Sequence, residues 1–163
     1  MRRLNPDHVE RVIELVNQSP YFVLINTRLV EMREGYSRAV ADLDRKHQNA
    51  FGGVHGGAYA SFVDCAAYWA LYCELEEDAG FITLDLTINN LRASSGEGVV
   101  TIEGGVVKRG GSICLTEAEA RDERGRLLVH CLSKQYLSPT LQPISMAVRE
   151  MGFDPLPPKF LDD

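Results

Sequence analysis

One acidic residue in an otherwise apolar segment is the first candidate for chemistry in this sequence. Asp64 lies in residues 58–77, where alanine, aromatic and branched aliphatic side chains recur on almost every side of a helical projection. Burial of a carboxylate is unfavourable unless the group has a partner or a chemical role, and it raises the carboxyl pKa toward that of a general base. From the residues alone, the favoured interpretation of Asp64 is a structural hydrogen bond to a neighbouring strand. A catalytic role is the alternative.

Two glycines, Gly56 and Gly57, directly precede this helical segment. The first turn of a helix has N–H groups without partners inside the helix, and the helix dipole adds about half a positive charge there. A carbonyl oxygen held at this end would be stabilised as negative charge develops on it, and glycine leaves room for its approach. Asp64 lies roughly 10 Å further along the helix axis, too far to act on the same carbonyl within one chain.

The order of the predicted elements indicates how these residues are positioned. A first helix opens at residues 5–7 and stops at residues 17–20, and the long buried helix covers residues 58–77. The short connections between the strand patterns favour antiparallel pairing, because parallel neighbours need crossovers of a dozen residues or more. The sequence therefore predicts an α+β fold with an antiparallel sheet of about six strands wrapped around one long central helix. The predicted strands are residues 21–32, 36–43, 80–91, 99–108, 112–122 and 126–137.

These elements divide the chain into three parts. Residues 1–20 form an N-terminal helix, residues 21–137 form the main domain, and residues 138–163 form a C-terminal extension. The extension is rich in proline and contains one short helical pattern at residues 145–151. We expect it to be draped over the surface or frayed.

Composition restricts the classes of partner. The 163 residues carry a formal net charge of −6, which argues against a nucleic-acid partner. The four cysteines contain no CxxC pair, so we expect free buried thiols, no metal site and no cofactor. The N-terminal residues lack a secretory signal, and Asp64 and Glu74 interrupt the longest apolar run, so no membrane span is predicted. The predicted location is the cytoplasm.

A longer motif surrounds these candidates. Residues 49–64 read N-x-x-G-x-x-H-G-G-x6-D, placed between a strand pair and the buried helix. This string resembles the hotdog-fold acyl-CoA thioesterases, in particular the phenylacetate-pathway branch of the 4-hydroxybenzoyl-CoA thioesterase-like superfamily, and the likeness spans residues 21–137. The resemblance implies hydrolysis of an acyl-CoA, or a related acyl thioester, to a free acid and coenzyme A. It also implies a homodimer or homotetramer whose active sites combine residues of two subunits.

The resemblance assigns roles to individual residues. Asp64 matches the catalytic carboxylate, as general base or nucleophile, and the Gly56 backbone N–H matches the donor to the thioester oxygen. Asn49 and His55 match polar residues beside the reacting carbonyl, although a loop-holding role is the favoured interpretation of His55. Thr83 matches a residue that places the attacking water. Asp64 and Thr83 would come from the subunit opposite to Gly56.

Substrate contacts form a second predicted set. The phosphates of coenzyme A favour a basic rim, and a hairpin tip with two cations follows the second predicted strand after the helix. The resemblance places phosphate or pantetheine contacts near this turn, with the alternative that its side chains are simply solvated. The predicted contacts are Lys108, Arg109 and Gly110 at the tip, Arg92 in an earlier turn, Gly57 at the helix start, and Tyr59 in the acyl pocket.

Two other functions remain open. Hydratases share the hotdog fold, and turnover of an enoyl-CoA would identify one, but their usual pairing of a catalytic His with a carboxylate in a different motif is not found here. A non-catalytic acyl-CoA-binding protein would bind an acyl-CoA without turnover. The combination of Asn49, Gly56 and Asp64 favours catalysis over binding alone.

Overall fold

The computed structural model describes residues 3–161, and a six-stranded antiparallel sheet packed on a central helix is its main feature. The helices are α1 (Pro6–Asn17), α2 (Pro20–Leu24), α3 (Gly56–Tyr72) and α4 (Ile144–Glu150). The strands are β1 (Arg3–Leu4), β2 (Thr27–Arg33), β3 (Tyr36–Leu43), β4 (Phe81–Asn90), β5 (Gly98–Lys108), β6 (Ile113–Asp122), β7 (Leu127–Leu137) and β8 (Phe160–Leu161). The sheet order is β2-β3-β5-β6-β7-β4, and β1 pairs separately with β8. The predicted α+β hotdog architecture is confirmed.

The central helix α3 is enclosed because its residues are apolar on nearly every face. It contacts all six strands of the large sheet. The closest approach is at Gly104 of β5, where an added Cβ would lie 2.3 Å from the carbonyl oxygen of Ala66. The Ser37 hydroxyl of β3 donates a hydrogen bond to the same oxygen at 2.7 Å. Small residues on both elements thus let the sheet approach the helix backbone.

The start of β2 differs from the prediction. Residues 21–24, expected to open a strand, belong to α2, and Asn26 then turns the chain with a φ of 48°. Pro20 occupies the first turn of α2, where its fixed φ suits a helix and its missing N–H removes no intrahelical bond. The aromatic and branched residues after Pro20 resemble a strand in composition, and the proline that was interpreted as a helix stop begins a second helix.

The end of α3 is also earlier than predicted. The helix stops at Tyr72 instead of Glu77, although the sequence contains no helix breaker at that point. The Nζ atom of Lys159 donates to the carbonyl oxygens of Tyr72 at 2.6 Å and Leu75 at 2.9 Å. A residue more than 80 positions away thus satisfies the carbonyl groups at the helix end, and nothing in the local sequence indicates it.

The C-terminal extension is packed against the domain and not frayed. Lys159 is 0% exposed, and β8 pairs with β1 through Leu161 opposite Arg3. The short helix predicted at residues 145–151 is observed as α4. All four cysteines are free, as predicted, with Cys65 half-buried and the other three buried.

Candidate active site

Asp64 lies on the face of α3 that meets the edge strand β4. The Thr83 hydroxyl donates to Asp64 Oδ1 at 2.9 Å. The other carboxylate oxygen, Oδ2, accepts no hydrogen bond from residues 3–161 and retains contact with solvent. The predicted structural bond to a neighbouring strand thus exists here and still leaves one oxygen free to act on another molecule.

Thr83 owes its position to an irregularity in β4. The pairing with β7 shifts register between Thr83 and Asp85, which marks a β-bulge. Bulges bend a strand and redirect the neighbouring side chain. The inward side of β4 at this point therefore presents a hydroxyl to the central helix.

Gln135 completes this polar group and was not predicted from the sequence. It is 0% exposed on β7, and its Oε1 lies 3.1 Å from the Thr83 hydroxyl. Its Nε2 donates to the Ser133 hydroxyl at 2.8 Å. Because Thr83 has a single proton, it donates to Asp64 or to Gln135 at any one time. When Asp64 is protonated, Asp64 can donate to Thr83 while Thr83 donates to Gln135.

Electrostatics favour proton uptake by Asp64. Burial raises the pKa of the Asp64 carboxyl above its usual value, and the hydrogen bond from Thr83 opposes that rise only in part. The same carboxylate contributes to the raised pKa of Tyr68, one helical turn further along. Asp64 is thus a stronger base than an exposed aspartate.

The two glycines at the start of α3 have different environments. His55 caps the helix, and its Nδ1 accepts the Gly57 N–H at 2.8 Å. The Gly56 N–H has no acceptor among residues 3–161. A Cβ added to Gly56 would meet the Asn90 amide at 3.4 Å, so the position is close to the end of β4 but not filled. Gly56 therefore provides the free donor, and His55 acts as the helix cap, while its predicted loop-holding role remains a prediction.

Asn49 shapes the loop before α3. Its Oδ1 accepts the Phe51 N–H at 2.8 Å, while its Nδ2 donates to none of the described residues. Its backbone N–H donates to the Gly53 carbonyl at 2.8 Å. Its predicted contact with a substrate carbonyl remains a prediction that this free amide allows.

Tyr59 is buried within the core. Its hydroxyl lies 2.6 Å from the Ser94 hydroxyl, which connects the loop of residues 91–97 to α3. Five residues separate it from Asp64, so it faces a different side of the helix. Its predicted place in the acyl pocket remains a prediction, with no contact to Asp64 in support.

The candidate donor and the candidate base lie near opposite ends of β4. Gly56 neighbours Asn90 at the end of the strand, whereas Asp64 bonds to Thr83 near its start. Seven strand residues span about 23 Å. Along α3 itself, Gly56 and Asp64 are eight residues or about 12 Å apart, so one described chain places the two groups too far apart to act on one carbonyl.

The predicted coenzyme A contacts also lie at two opposite ends of the sheet. Arg92 follows β4 and lies in the connection near Gly56, and its backbone N–H donates to Leu128. Lys108 and Arg109 lie at the opposite end of the sheet, at the tip of the hairpin joining β5 and β6. The Arg109 guanidinium bends back to the Gly110 carbonyl and to Cys114 Sγ. Lys108 and Arg92 have no side-chain partner among residues 3–161.

Two cavities flank the short helix α4. One, of about 380 Å³, begins beside Tyr68, one turn past Asp64, and lies between α3, β4 and α4. The other, of about 530 Å³, lies between the tail and α1, and neither cavity is lined by Asp64, Thr83 or Gly56. Among residues 3–161, no group of three or more His, Cys, Asp or Glu side chains is placed to hold a metal ion. No helix in the same part of the chain is long and apolar enough to cross a membrane.

Comparison with known proteins gives the family. Residues 51–129, which include Gly56, Asp64 and Thr83, match the model of the thioesterase superfamily. The protein named "Putative esterase SSO1253" of Saccharolobus solfataricus is 30% identical over 124 residues, covering 76% of this chain and 81% of the relative.

Solved structures agree on the fold. A hypothetical thioesterase of Streptococcus pneumoniae, solved with coenzyme A, is 24% identical with a TM-score of 0.63, covering 69% of this chain and 86% of its own. Zebrafish thioesterase superfamily member 2 is 20% identical with a TM-score of 0.71, covering 83% and 100%. The chain belongs to the thioesterase superfamily and has its hotdog fold.

Proposed function

We propose that the protein hydrolyses acyl-CoA thioesters, with Asp64 as general base and the Gly56 N–H as donor to the thioester oxygen. The observation that carries the proposal is the state of these two groups. Asp64 has one oxygen fixed by Thr83 and one free, and Gly56 has a free N–H at the positive end of a 17-residue helix. Both are unsatisfied in a manner that suits a polar substrate.

Pairing of two subunits would bring these groups together. β4 is an edge strand, and its Ile82 and Leu84 are 44% and 52% exposed. Antiparallel pairing of β4 with the same strand of a second copy places the Thr83 end of one strand beside the Asn90 end of the other. Gly56 of one subunit then faces Asp64 of its partner, and two equivalent sites result.

The same pairing would assemble a basic rim for coenzyme A. The hairpin tip with Lys108 and Arg109 lies at the Thr83 end of each subunit, and Arg92 lies at the Gly56 end. Across the two-fold axis, Arg92 of one chain approaches the hairpin tip of the other. Cations on both sides of the site suit the phosphates of coenzyme A.

The reaction then follows from the positions of these groups. Oδ2 of Asp64 takes a proton from water, and the water oxygen attacks the thioester carbon. The carbonyl oxygen becomes an oxyanion that accepts the Gly56 N–H. Collapse of the tetrahedral species breaks the C–S bond, releases the acid, and returns the proton from Asp64 to the departing thiolate. The hydroxyl of Thr83 keeps the carboxylate oriented throughout.

A non-catalytic acyl-CoA-binding protein is the second candidate, and its supporting observation is that Asp64 already has a partner on β4. The test is release of free thiol from a panel of short, medium, long and aryl acyl-CoAs by wild type and Asp64→Asn. We expect turnover of some member and a loss of at least about 100-fold in kcat for Asp64→Asn, with the oligomer intact by size-exclusion chromatography. Binding of an acyl-CoA without turnover by wild type would establish the second candidate.

A further inference from the structure

We propose that the cavity between α3, β4 and α4 binds the apolar acyl group of the substrate, so that residues 138–161 determine which acyl-CoA is cleaved. This inference rests on the proposed function, because it assigns the far end of a substrate whose thioester is hydrolysed beside Asp64. The residues 138–161 lie outside the part of the chain that matches the family model.

The walls of this cavity are apolar. They are formed by aromatic rings of α3 and β4 and by aliphatic and methionine side chains of α4, and its polar side chains Gln142 and Glu150 are exposed at the rim. The hydroxyl of Tyr68 donates to the Phe81 carbonyl at 3.1 Å, and that of Tyr72 lies 2.7 Å from His8 Nε2. Because these hydroxyls are engaged elsewhere, their rings present hydrocarbon to the cavity.

The cavity begins next to the candidate active site, although neither Asp64 nor Thr83 lines it. Tyr68 follows Asp64 by one helical turn, and such pairs are about 5–6 Å apart at Cβ. Phe81 precedes Thr83 by two strand positions and therefore shares its face of the sheet. The rings of Tyr68 and Phe81 stack with centroids 4.0 Å apart. The two rings form the wall that adjoins Asp64 and Thr83, and we infer that an acyl group bound beside Asp64 passes this stacked pair to enter the cavity.

The tail forms a fixed wall of this cavity because it is held at several points. Asp78 accepts hydrogen bonds from the backbone and the hydroxyl of Ser145, at 3.2 and 2.8 Å, in the first turn of α4. Gly80 is in contact with Leu141, whose carbonyl oxygen would lie 2.4 Å from an added Cβ. Lys159 fixes the far side of the tail at the end of α3.

The size and lining of the cavity indicate the ligand class. A volume of about 380 Å³ is near the lower end of the roughly 300–1,000 Å³ usual for small-molecule pockets. It suits an apolar acyl group of medium length or a single aryl ring on a short linker. The thioether side chains of Met146 and Met151 allow the wall to adapt to either shape.

The test compares chain-length profiles of variants in α4. Ala147→Phe places a ring in the cavity, and Arg149→Phe places the same ring two residues away, beside the other cavity. We would measure kcat/KM for straight-chain acyl-CoAs from acetyl to palmitoyl and for phenylacetyl-CoA. For Ala147→Phe, the ratio of kcat/KM for the best substrate to that for acetyl-CoA should fall at least about tenfold, because each excluded methylene is worth about fourfold. The profile of Arg149→Phe should match wild type.

A second variant keeps the test informative if Ala147→Phe misfolds. Met146→Ala enlarges the cavity and should shift the optimum toward longer acyl groups by two or more carbons. Unchanged profiles in Ala147→Phe and Met146→Ala, with turnover intact, would overturn the cavity assignment and leave the thioesterase proposal standing. Absence of turnover with every acyl-CoA in wild type would overturn both.

Discussion

The two ends of α3 differ in whether the rest of the chain supplies partners for their backbone groups. At the N-terminal end, His55 occupies one N–H and the Gly56 N–H stays free. At the C-terminal end, the buried ammonium group of Lys159 contacts the carbonyl oxygens of Tyr72 and Leu75 and lies 4.0 Å from the centre of the Tyr72 ring. Both ends of any helix have unsatisfied backbone groups and a partial charge.

The contrast leads us to expect a structural role for the C-terminal end and a functional role for the N-terminal end. A helix end that the chain satisfies with its own buried cation contributes stability and is closed to ligands. A helix end with a free donor and an open approach has a binding capacity that nothing in the described chain uses. We therefore expect substitutions at Gly56 to affect catalysis and substitutions at Lys159 to affect folding.

The largest effect is expected for Gly56→Pro. Proline is well tolerated in the first turn of a helix, and the extended conformation of His55, with ψ of 134°, suits a residue before proline. The variant thus removes the free N–H while the helix persists. We expect kcat to fall by about 10²–10³-fold with a small change in melting temperature.

Gly56→Ala is the matched control for this prediction. It adds a methyl group and keeps the N–H. If Gly56→Pro and Gly56→Ala lose the same activity, the loss is steric and the N–H has no role as a donor.

The next effect is expected at the other end, for Lys159→Met. The variant fills a similar volume but leaves buried helix carbonyls without a donor, which destabilises a fold by about 1–3 kcal/mol. For a chain of this length that corresponds to a fall of several degrees in melting temperature, measured by differential scanning fluorimetry. A large loss of kcat on acetyl-CoA with an unchanged melting temperature would contradict the assignment of this end as structural.

The burial of Lys159 also predicts how the free energy of unfolding depends on pH. Burial lowers the pKa of Lys159 to about 8. Between that value and its unperturbed pKa, the unfolded state binds more protons than the folded state, so the free energy of unfolding rises with pH. The stability of wild type relative to Lys159→Met should therefore increase from pH 7 to pH 9. A constant difference over this range would indicate that Lys159 titrates normally.

A smaller effect is expected for His55→Ala. Loss of an N-terminal cap destabilises a protein by about 1 kcal/mol, and the variant also frees the Gly57 N–H. We expect a modest fall in melting temperature and a loss of kcat well below that of Gly56→Pro. A loss equal to that of Asp64→Asn would instead identify His55 as a catalytic group.

The smallest effect concerns the pH–rate profile. The hydrogen bond from Thr83 lowers the pKa of Asp64, so Thr83→Val should move the acidic limb of kcat/KM to higher pH. The pKa of Asp64 rises in this variant because its charged carboxylate loses a hydrogen-bond donor. A limb that moves to lower pH, or a profile without an acidic limb, would show that Asp64 is not the titrating base.

Much of the fold, and two residues of the candidate site, could be proposed from residue patterns. Asp64 stands out because a carboxylate within an apolar helix is unusual, and Gly56 stands out because it opens that helix. The position of Gln135 was predictable in principle, since it alternates inward on β7 with Ser133 and Cys131. It was missed because an uncharged polar residue in a strand carries little signal by itself.

Other features depend on contacts between distant parts of the chain. The end of α3 is set by Lys159, which no local pattern connects with it. The pairing of Thr83 with Asp64 depends on a bulge, whose position periodicity does not reveal. The helix after Pro20 was predicted as a strand because its composition suits both elements, and only the packing of the folded chain distinguishes them.

The bulge at Thr83 also bears on which molecules the protein can associate with. An exposed edge strand of ten residues with apolar side chains is a template for unspecific aggregation. The bulge breaks the regular spacing of free N–H and carbonyl groups along β4, so that a flat, regular strand from another protein fits it poorly. The feature that directs a hydroxyl to Asp64 thus also limits unspecific strand pairing at this edge of the sheet.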